Sequence, residues 1–594
     1  MQPQNLLEVF KASVEKHGRA ICFRYKEGNV WHTLDWKQVY QKVLDLAGGL
    51  RKLGVRAGDR VSIFSHTRYE WTIADLAILA CGGITVPIYE SSTADAAAYI
   101  LSNAEVKVVL VDHLSQLQKI QQFHSTLPTL KQIIIFDPQK GMKKEEGVYS
   151  LDQLFLLGAG LGEAVLKESI AKLTPESMAS YVYTSGTTGP PKGAMLNHGN
   201  FLSELLALGE VVDLNPTQEV LLFLPLAHIF ARVLQFVQIQ HGFVQCYAES
   251  IDKLLDNISE TRPHFMPTVP RIFEKVHTRV MQGVESGSDT KKKIFNWALS
   301  IGMKRSRCLL HKKSIPLPLQ LQWLVAHKLV FSKLQKKMGG RINFFVSAGA
   351  PLSQDIADFF HAAGFIILEA YGLTETTGAI TANHLDNYKI GVVGHPLTGV
   401  VIKIAPDGEI LAKGGPIFKG YYKKPEDTAL VMTDGWFHTG DIGEFDQEGF
   451  LKITDRKKDI IVTAGGKNIA PQNIENFIKT DPLISQVMVH GDKRKFLSAL
   501  ITLDKNEVMN FAKSHRIQFE DYAELIKNEK IYQLIKTRVE EKNKQLAKYE
   551  SIKKFAILDK DFSVETGELT PTLKVKRKFT SDKYRDILDQ FYKE

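Results

Sequence analysis

Apolar residues recur along the chain at two spacings. Between residues 40 and 53, Val43, Leu46, Ala47, Leu50 and Leu53 share one helical stripe, and Gly54 follows as a stop. The runs Val61–Phe64, Val108–Val111 and Ile133–Phe136 are short, β-branched and bounded by polar residues, which predicts strands. Trp71 to Cys81 reads as a second helix. Alternation of helix and strand predicts an α/β protein with largely parallel sheets. After Gly391 the texture shifts to Gly-rich turns and short strands, so a small β-rich subdomain is expected over about residues 391–455. Beyond Asp455-Arg456-Lys457-Lys458-Asp459 the chain is lysine-rich and more helical. The main boundary is therefore placed there, separating 1–455 from 456–594, with 456–459 as a hinge.

One segment interrupts this pattern with chemistry. Tyr183-Thr184-Ser185-Gly186-Thr187-Thr188-Gly189-Pro190-Pro191-Lys192-Gly193 packs hydroxyls, glycines and a lysine directly after an apolar run. Glycines let consecutive N–H groups face one anion, the hydroxyls add donors and Lys192 adds charge. That composition suits a phosphate cradle better than a plain flexible turn. It is not the GxxxxGK[ST] loop, because neither Ser/Thr nor a helix-forming run follows Lys192.

Tyr371-Gly372-Leu373-Thr374-Glu375-Thr376-Thr377-Gly378 follows another apolar run. Tyr371 offers a ring for stacking a base, and Glu375 the hard oxygens that magnesium prefers. A Glu in a Thr-rich turn alone is ordinarily a cap. In Thr439-Gly440-Asp441, the carboxylate can accept from two ribose hydroxyls, and Arg456 can serve ribose or phosphates. His228, in Phe223-Leu224-Pro225-Leu226-Ala227-His228, would by itself be a satisfied core residue.

Taken together and in this order, these motifs resemble the adenylate-forming ligases, most nearly the long-chain fatty acyl-CoA synthetases. The resemblance implies a large N-terminal domain of doubly wound sheets with a small β-rich subdomain, then a smaller, mobile α+β C-terminal domain. It implies that Thr184, Ser185, Gly186, Thr187, Thr188, Gly189 and Lys192 bind pyrophosphate. Ala348, Gly349, Tyr371, Gly372 and Thr374 would serve the adenine and nucleotide, Asp441 and Arg456 the ribose and phosphates. Thr184 and Glu375 would hold Mg2+. His228 would lie near the acyl carboxylate, as catalyst or as pocket wall. Near the C-terminus, Thr570-Pro571-Thr572-Leu573-Lys574-Val575-Lys576 resembles the family's catalytic-lysine motif, with Leu573 where glycine is usual and Lys576 a rival to Lys574. Lys458 matches the hinge position. Gly465 and Gly466 match a loop lining the pantetheine tunnel, where a side chain would obstruct the thiol. Fatty acid, ATP and coenzyme A are the implied substrates. A fatty acyl-AMP ligase serving a carrier protein shares the adenylation motifs, but no insertion before the hinge is visible. An inactive relative acting as a scaffold is the other alternative, against which the intact Lys192, Glu375, Asp441, Arg456 and Lys574 count.

Composition refines this reading. Four dispersed cysteines without C-x-x-C spacing exclude a disulfide framework and a cysteine zinc site and fit a reducing compartment. No signal peptide is expected from the first residues, and the most apolar window, Ile73 to Ile88, contains Asp75 and is too short to span a bilayer. A cytoplasmic protein is therefore expected. The net charge of +9 is uneven: Thr290 to Gln354 carries 13 Lys and Arg and no acid. Trp297, Leu299, Ile301, Trp323, Leu324, Val325, Leu329 and Phe331 interleave with these charges. That pattern favours amphipathic helices on an anionic membrane surface over nucleic acid, which is not expected as a partner. Oligomeric state is not legible.

Overall fold

The computed structural model describes residues 2–139, 146–184, 190–464, 467–570 and 573–593. A seven-stranded sheet runs in the order Val148–Ser150, Gln132–Ile135, Val108–Val111, Arg60–Phe64, Ile84–Ile88, Met178–Thr184, Lys192–Asn197. All neighbours are parallel except the last pair, a hairpin in which Thr184 stands opposite Lys192. A nine-stranded sheet runs His395–Pro396, Gly378–Ala382, Ile366–Leu373, Phe344–Ser347, Phe265–Thr268, Glu219–Leu222, Val244–Tyr247, Ile21–Glu27, Val30–Asp35. Its six central strands are parallel, and antiparallel strands close both ends.

The helix expected over 40–53 spans Trp36–Lys52. It starts earlier because Asp35 and Gln38 form a reciprocal capping box, each side chain accepting from the other's backbone N–H at 2.7 and 2.9 Å. Gly54, just beyond, has φ +88°. The helix Tyr69–Ala80 is apolar all round, and residues 70–80 are all buried. Its one carboxylate in mid-helix, Asp75, meets Arg232 of the helix Ile229–His241, both side chains wholly inaccessible. Arg232 donates to both Asp75 oxygens at 2.6 and 3.0 Å, while Thr85 and Gln235 donate at 2.7 and 2.8 Å. Trp71, Phe201 and Phe236 surround the guanidinium. This pair joins a helix of the first sheet's layers to one from the second.

A five-stranded antiparallel sheet over residues 400–456 supports the long strand Trp436–Phe445, which pairs with Glu409–Gly414, Met432–Thr433 and Leu451–Arg456. Just before it, residues 418–422 lie along the outer strand of the seven-stranded sheet. Met195 N–H donates to the Gly420 carbonyl (2.9 Å), Lys419 N–H to Met195 (3.0 Å) and Tyr422 N–H to Gly193 (2.8 Å). Past Arg456, a three-stranded sheet of Ile484–His490, Leu497–Leu503 and Ile552–Ile557 packs against Pro471–Ile478 and Glu529–Asn543 and builds its own apolar core from residues 461–552.

The basic segment folds as Asp289–Leu310, Leu317–Ala326, a π-turn at His327–Phe331 and Ser332–Lys337. Not all its apolar residues face outward. Ile301 and Phe331 are core, Leu299 packs against that core, and Trp323 lies under the Arg305 guanidinium at 4.1 Å. Leu317 (73% exposed), Leu321, Leu324, Val325 and Leu329 do stay open to solvent. No helix among the described residues is long and apolar enough to cross a membrane.

Candidate active site

Ligands of open α/β sheets gather at the carboxyl ends of the strands. Thr184 ends Met178–Thr184, Ser347 ends Phe344–Ser347, and Glu375 lies two residues beyond Ile366–Leu373. The Glu375 segment turns sharply. A Cβ on Gly372 would stand 1.6 Å from the Gly378 carbonyl oxygen, so only glycine lets the two strands meet there. Thr376 Oγ1 accepts the Leu373 N–H at 2.8 Å and donates back across the turn, which begins with Thr374 in a short 3-10 helix. Below it, the buried Glu204 accepts the Ala379 N–H at 2.7 Å, and burial pushes its pKa well above the carboxylate range.

The side chains singled out in the sequence converge. Glu375 accepts from the Tyr421 hydroxyl at 2.8 Å. Lys192 Nζ stands 5.4 Å from that ring's centroid and 2.6 Å from Asp427. Tyr371, only 7% exposed, donates its hydroxyl to Asp441 at 2.7 Å, so its ring supports that carboxylate from below. Asp441 lies directly across the ladder from Arg456, whose Nε is 2.9 Å from it. Asp441 raises the Arg456 pKa above its ordinary value. Thr184 Oγ1 reaches the Lys192 carbonyl at 3.4 Å. The buried Ser347 Oγ finds no partner among the described residues, and Ala348 and Gly349, with φ +85° at Gly349, continue from it. Tyr421 and Asp427 were not singled out for chemistry, although Gly420-Tyr421-Tyr422 resembles the family's sequence there.

From the far end of the chain, Lys574 reaches the same place. Its backbone closes a tight turn: the Thr570 N–H donates to its carbonyl (2.8 Å), and its N–H donates to Thr570 Oγ1 (3.1 Å). Leu573, at φ +60°, holds the left-handed conformation that glycine adopts without cost. Lys574 is exposed to solvent, yet lost hydration beside the protein, and next Arg456, lower its pKa to about 8, while Asp441 and Glu375 oppose the shift. Burial and then the Lys574 charge lower His228 to about 4. His228 is therefore neutral at pH 7. Its Nδ1 accepts the Phe230 N–H at 3.2 Å, which leaves the proton on Nε2 as a donor. Lys576 instead stands at the N-cap of Arg577–Lys583.

Lys458 is exposed in the turn after Leu451–Arg456, between two anchored neighbours. Lys457 pairs with Asp407 (2.6 Å) and Glu409 (2.9 Å) of the five-stranded sheet region. Asp459 lies 4.0 Å from Arg577, which also holds Glu475 at 2.5 Å. Of the expected site, Ser185, Gly186, Thr187, Thr188, Gly189, Gly465 and Gly466 lie outside the described residues.

Two doubly wound sheets, a small β unit and a separate C-terminal unit, with polar side chains meeting at the strand ends, define an adenylate-forming ligase. The chain belongs to the AMP-binding enzyme family. The family's own model matches residues 10–422, and that of the AMP-binding enzyme C-terminal domain matches 458–594. The chain is 37% identical over 566 residues to the long-chain-fatty-acid--CoA ligase FadD15 of Mycobacterium bovis, covering 95% of this chain and 93% of that protein. It is 34% identical to the human long-chain-fatty-acid--CoA ligase ACSBG2, over 99% of this chain and 92% of that one. Among solved structures, the adenylation domain of a carboxylate reductase from Mycobacterium chelonae superposes with a TM-score of 0.79 at 21% identity, covering 99% and 91% of the two chains. At that identity the likeness concerns the fold.

Proposed function

We infer that the protein activates a long-chain fatty acid with ATP and passes the acyl group to coenzyme A, releasing pyrophosphate and AMP. The carrying observation is that Lys574 stands within electrostatic reach of His228, Glu375, Asp441 and Arg456. The long-chain acid follows from the named relatives. A carboxylate oxygen attacks the α-phosphorus, and the bond to pyrophosphate breaks. Both partners are anionic, so the Lys574 charge between them lowers their repulsion. His228 Nε2–H can hold the acyl carboxylate, and Asp441, braced by Tyr371 and Arg456, accepts the ribose hydroxyls. Lys192, paired with Asp427, would exchange that carboxylate for departing phosphate oxygens. Thr184 and Glu375 offer hard oxygens that suit Mg2+, which when bound would neutralise phosphate charge.

The unit beyond about residue 456 then turns about Lys458. That rotation withdraws Lys574 before the second step. The coenzyme A sulfur attacks the carbonyl carbon, and the bond to AMP breaks. Anchoring by Lys457 on one side and by Arg577 on the other confines the dihedral change to the residue between them. Purified protein given ATP and a panel of acids should release pyrophosphate with long-chain acids and form thioester only with coenzyme A present. Pyrophosphate release that never yields thioester would instead identify an acyl-AMP ligase.

A cytoplasmic protein docking on the face of a membrane fits the helix Leu317–Ala326. It exposes Leu317, Leu321, Leu324 and Val325 beside a segment without acids. Binding to anionic vesicles should fall as salt rises from 0.05 to 0.5 M, and Leu321→Glu with Leu324→Glu should weaken it at least tenfold. Binding that ignores both salt and these substitutions would contradict membrane docking.

A further inference from the structure

A second cluster lies on the carboxyl edge of the seven-stranded sheet, apart from the residues given chemistry above. His66 follows the strand Arg60–Phe64, and Asp112 and His113 follow its neighbour Val108–Val111. One donor atom of each residue lies within 4.8 Å of the other two. Asp112 is 1% exposed at its side chain and fixed by backbone: His66 N–H donates to Oδ2 and His113 N–H to Oδ1, both at 2.8 Å. His66 Nδ1 stands 2.5 Å from Asp112 Oδ2. Burial opposes the Asp112 charge, yet these bonds win and hold its pKa below the ordinary value. The imidazoles of His66 and His113 stack at 5.3 Å and 21°. Their side chains are 35% and 51% exposed, so an ion can enter from solvent. His113 occupies a helix N-cap without using its ring to cap. Its Nδ1 lies 3.5 Å from Asp137, a carboxylate able to orient it.

The surrounding charge is anionic. Glu90 and Asp137 lie near the cluster, against Arg68 and Lys119, and Glu70 is paired with Arg68. Arg68 is already bound by Glu70 at 2.7 and 2.8 Å and by Asp137.

We propose that His66, Asp112 and His113 bind one transition-metal dication of the Zn2+ class. Two imidazoles and one carboxylate are borderline donors of the set that Zn2+ and Co2+ take, and not the all-oxygen octahedron of Mg2+. Metal–ligand bonds of about 2.0–2.2 Å place tetrahedral ligands roughly 3.3 Å apart. His66 and Asp112 need only part slightly, and the half-exposed His113 ring swings in by about 1.5 Å to meet them. No proton is lost if His66 takes its Nε2–H tautomer, since Nδ1 and Asp112 Oδ2 then both face the ion with lone pairs. A water completes the fourth position. The cluster lies one strand away from the active-site wall: Ile84–Ile88, beside Arg60–Phe64, leads to Tyr89, whose ring meets His228 edge-on at 6.4 Å.

The test is a Co2+ titration of untagged, metal-free, full-length protein without ATP and with excess Mg2+. One equivalent should bind and give the visible absorption of tetrahedral Co2+, and Zn2+ should displace it. His66→Gln and His113→Gln should each weaken binding at least tenfold and together abolish the spectrum. Glu375→Ala, on the Mg2+-type donors, should leave it intact. Circular dichroism and unchanged basal ligase activity of the two His variants, assayed with Mg2+ and without transition metals, would show that they fold. Absence of a tetrahedral spectrum, or its persistence in the folded double variant, would overturn the proposal.

Discussion

Replacing Lys574 with Ala should cut acyl-adenylate formation by about 10²–10³-fold while thioester formation from a supplied acyl-adenylate stays near the wild-type rate. The split follows from the reaction. In the first half, two anions meet, and Lys574 is the cation within electrostatic reach of Glu375, Asp441 and Arg456. In the second, a sulfur nucleophile attacks a neutral carbonyl, and the proposed rotation takes the turn bearing Lys574 away. Single-turnover assays of each half-reaction measure both. The pH profile supplies an independent readout. Lost hydration and Arg456 lower the Lys574 pKa to about 8, and the proposed role needs the charged form. That form is present below pH 8 and is lost as pH rises through it. For adenylation, kcat/KM should thus fall about tenfold per unit above pH 8, and this limb should vanish in the Ala variant. Equal loss of both half-reactions would defeat the two-orientation scheme.

The other large effect concerns stability. Asp75→Ala should destabilise the protein by about 3–5 kcal/mol, because it leaves the inaccessible Arg232 guanidinium without its carboxylate. Aromatic rings line the guanidinium, but their attraction cannot replace two short charged hydrogen bonds. The double variant Asp75→Leu with Arg232→Met should regain much of the loss, since it buries no unpaired charge. Urea unfolding followed by tryptophan fluorescence measures this, with Trp71 packed at the pair. A loss under about 1 kcal/mol in the single variant would show that water or another group satisfies Arg232.

Local chemistry in this chain is legible, and long-range assembly is less so. The stripe ending at Gly54 and the apolar runs at 61–64 and 108–111 appear as a helix and strands, because period and β-branching act within a few residues. The run at 133–136 is shifted by one residue, to Gln132–Ile135. The nine-stranded sheet was not readable: it places residues 21–27 beside 244–247, a pairing that no local pattern encodes. Asp75 was visible as a charge in an apolar window, but its partner lies 157 residues away. For the same reason Tyr421 and Asp427 were given no chemical role. Their contacts with Glu375 and Lys192 arise from folding across the cleft. The basic segment was read as amphipathic helices with their apolar residues toward a membrane surface, whereas Ile301 and Phe331 turn inward to the core. Amphipathic spacing tells which residues share a face, and only packing decides which face is covered.

The outer strand Lys192–Asn197 has a consequence during synthesis. Every strand of its sheet has been made once residue 197 emerges, but the segment that hydrogen-bonds to its free side, residues 418–422, follows more than two hundred residues later. At translation speeds of about 5–20 residues per second, that interval lasts roughly 10–45 s. Throughout it, the nascent chain carries a row of unpaired amides and carbonyls able to recruit a strand from a neighbouring ribosome's product. Yield in the cell should therefore depend on chaperone occupancy of this early intermediate more than on the strength of the finished fold.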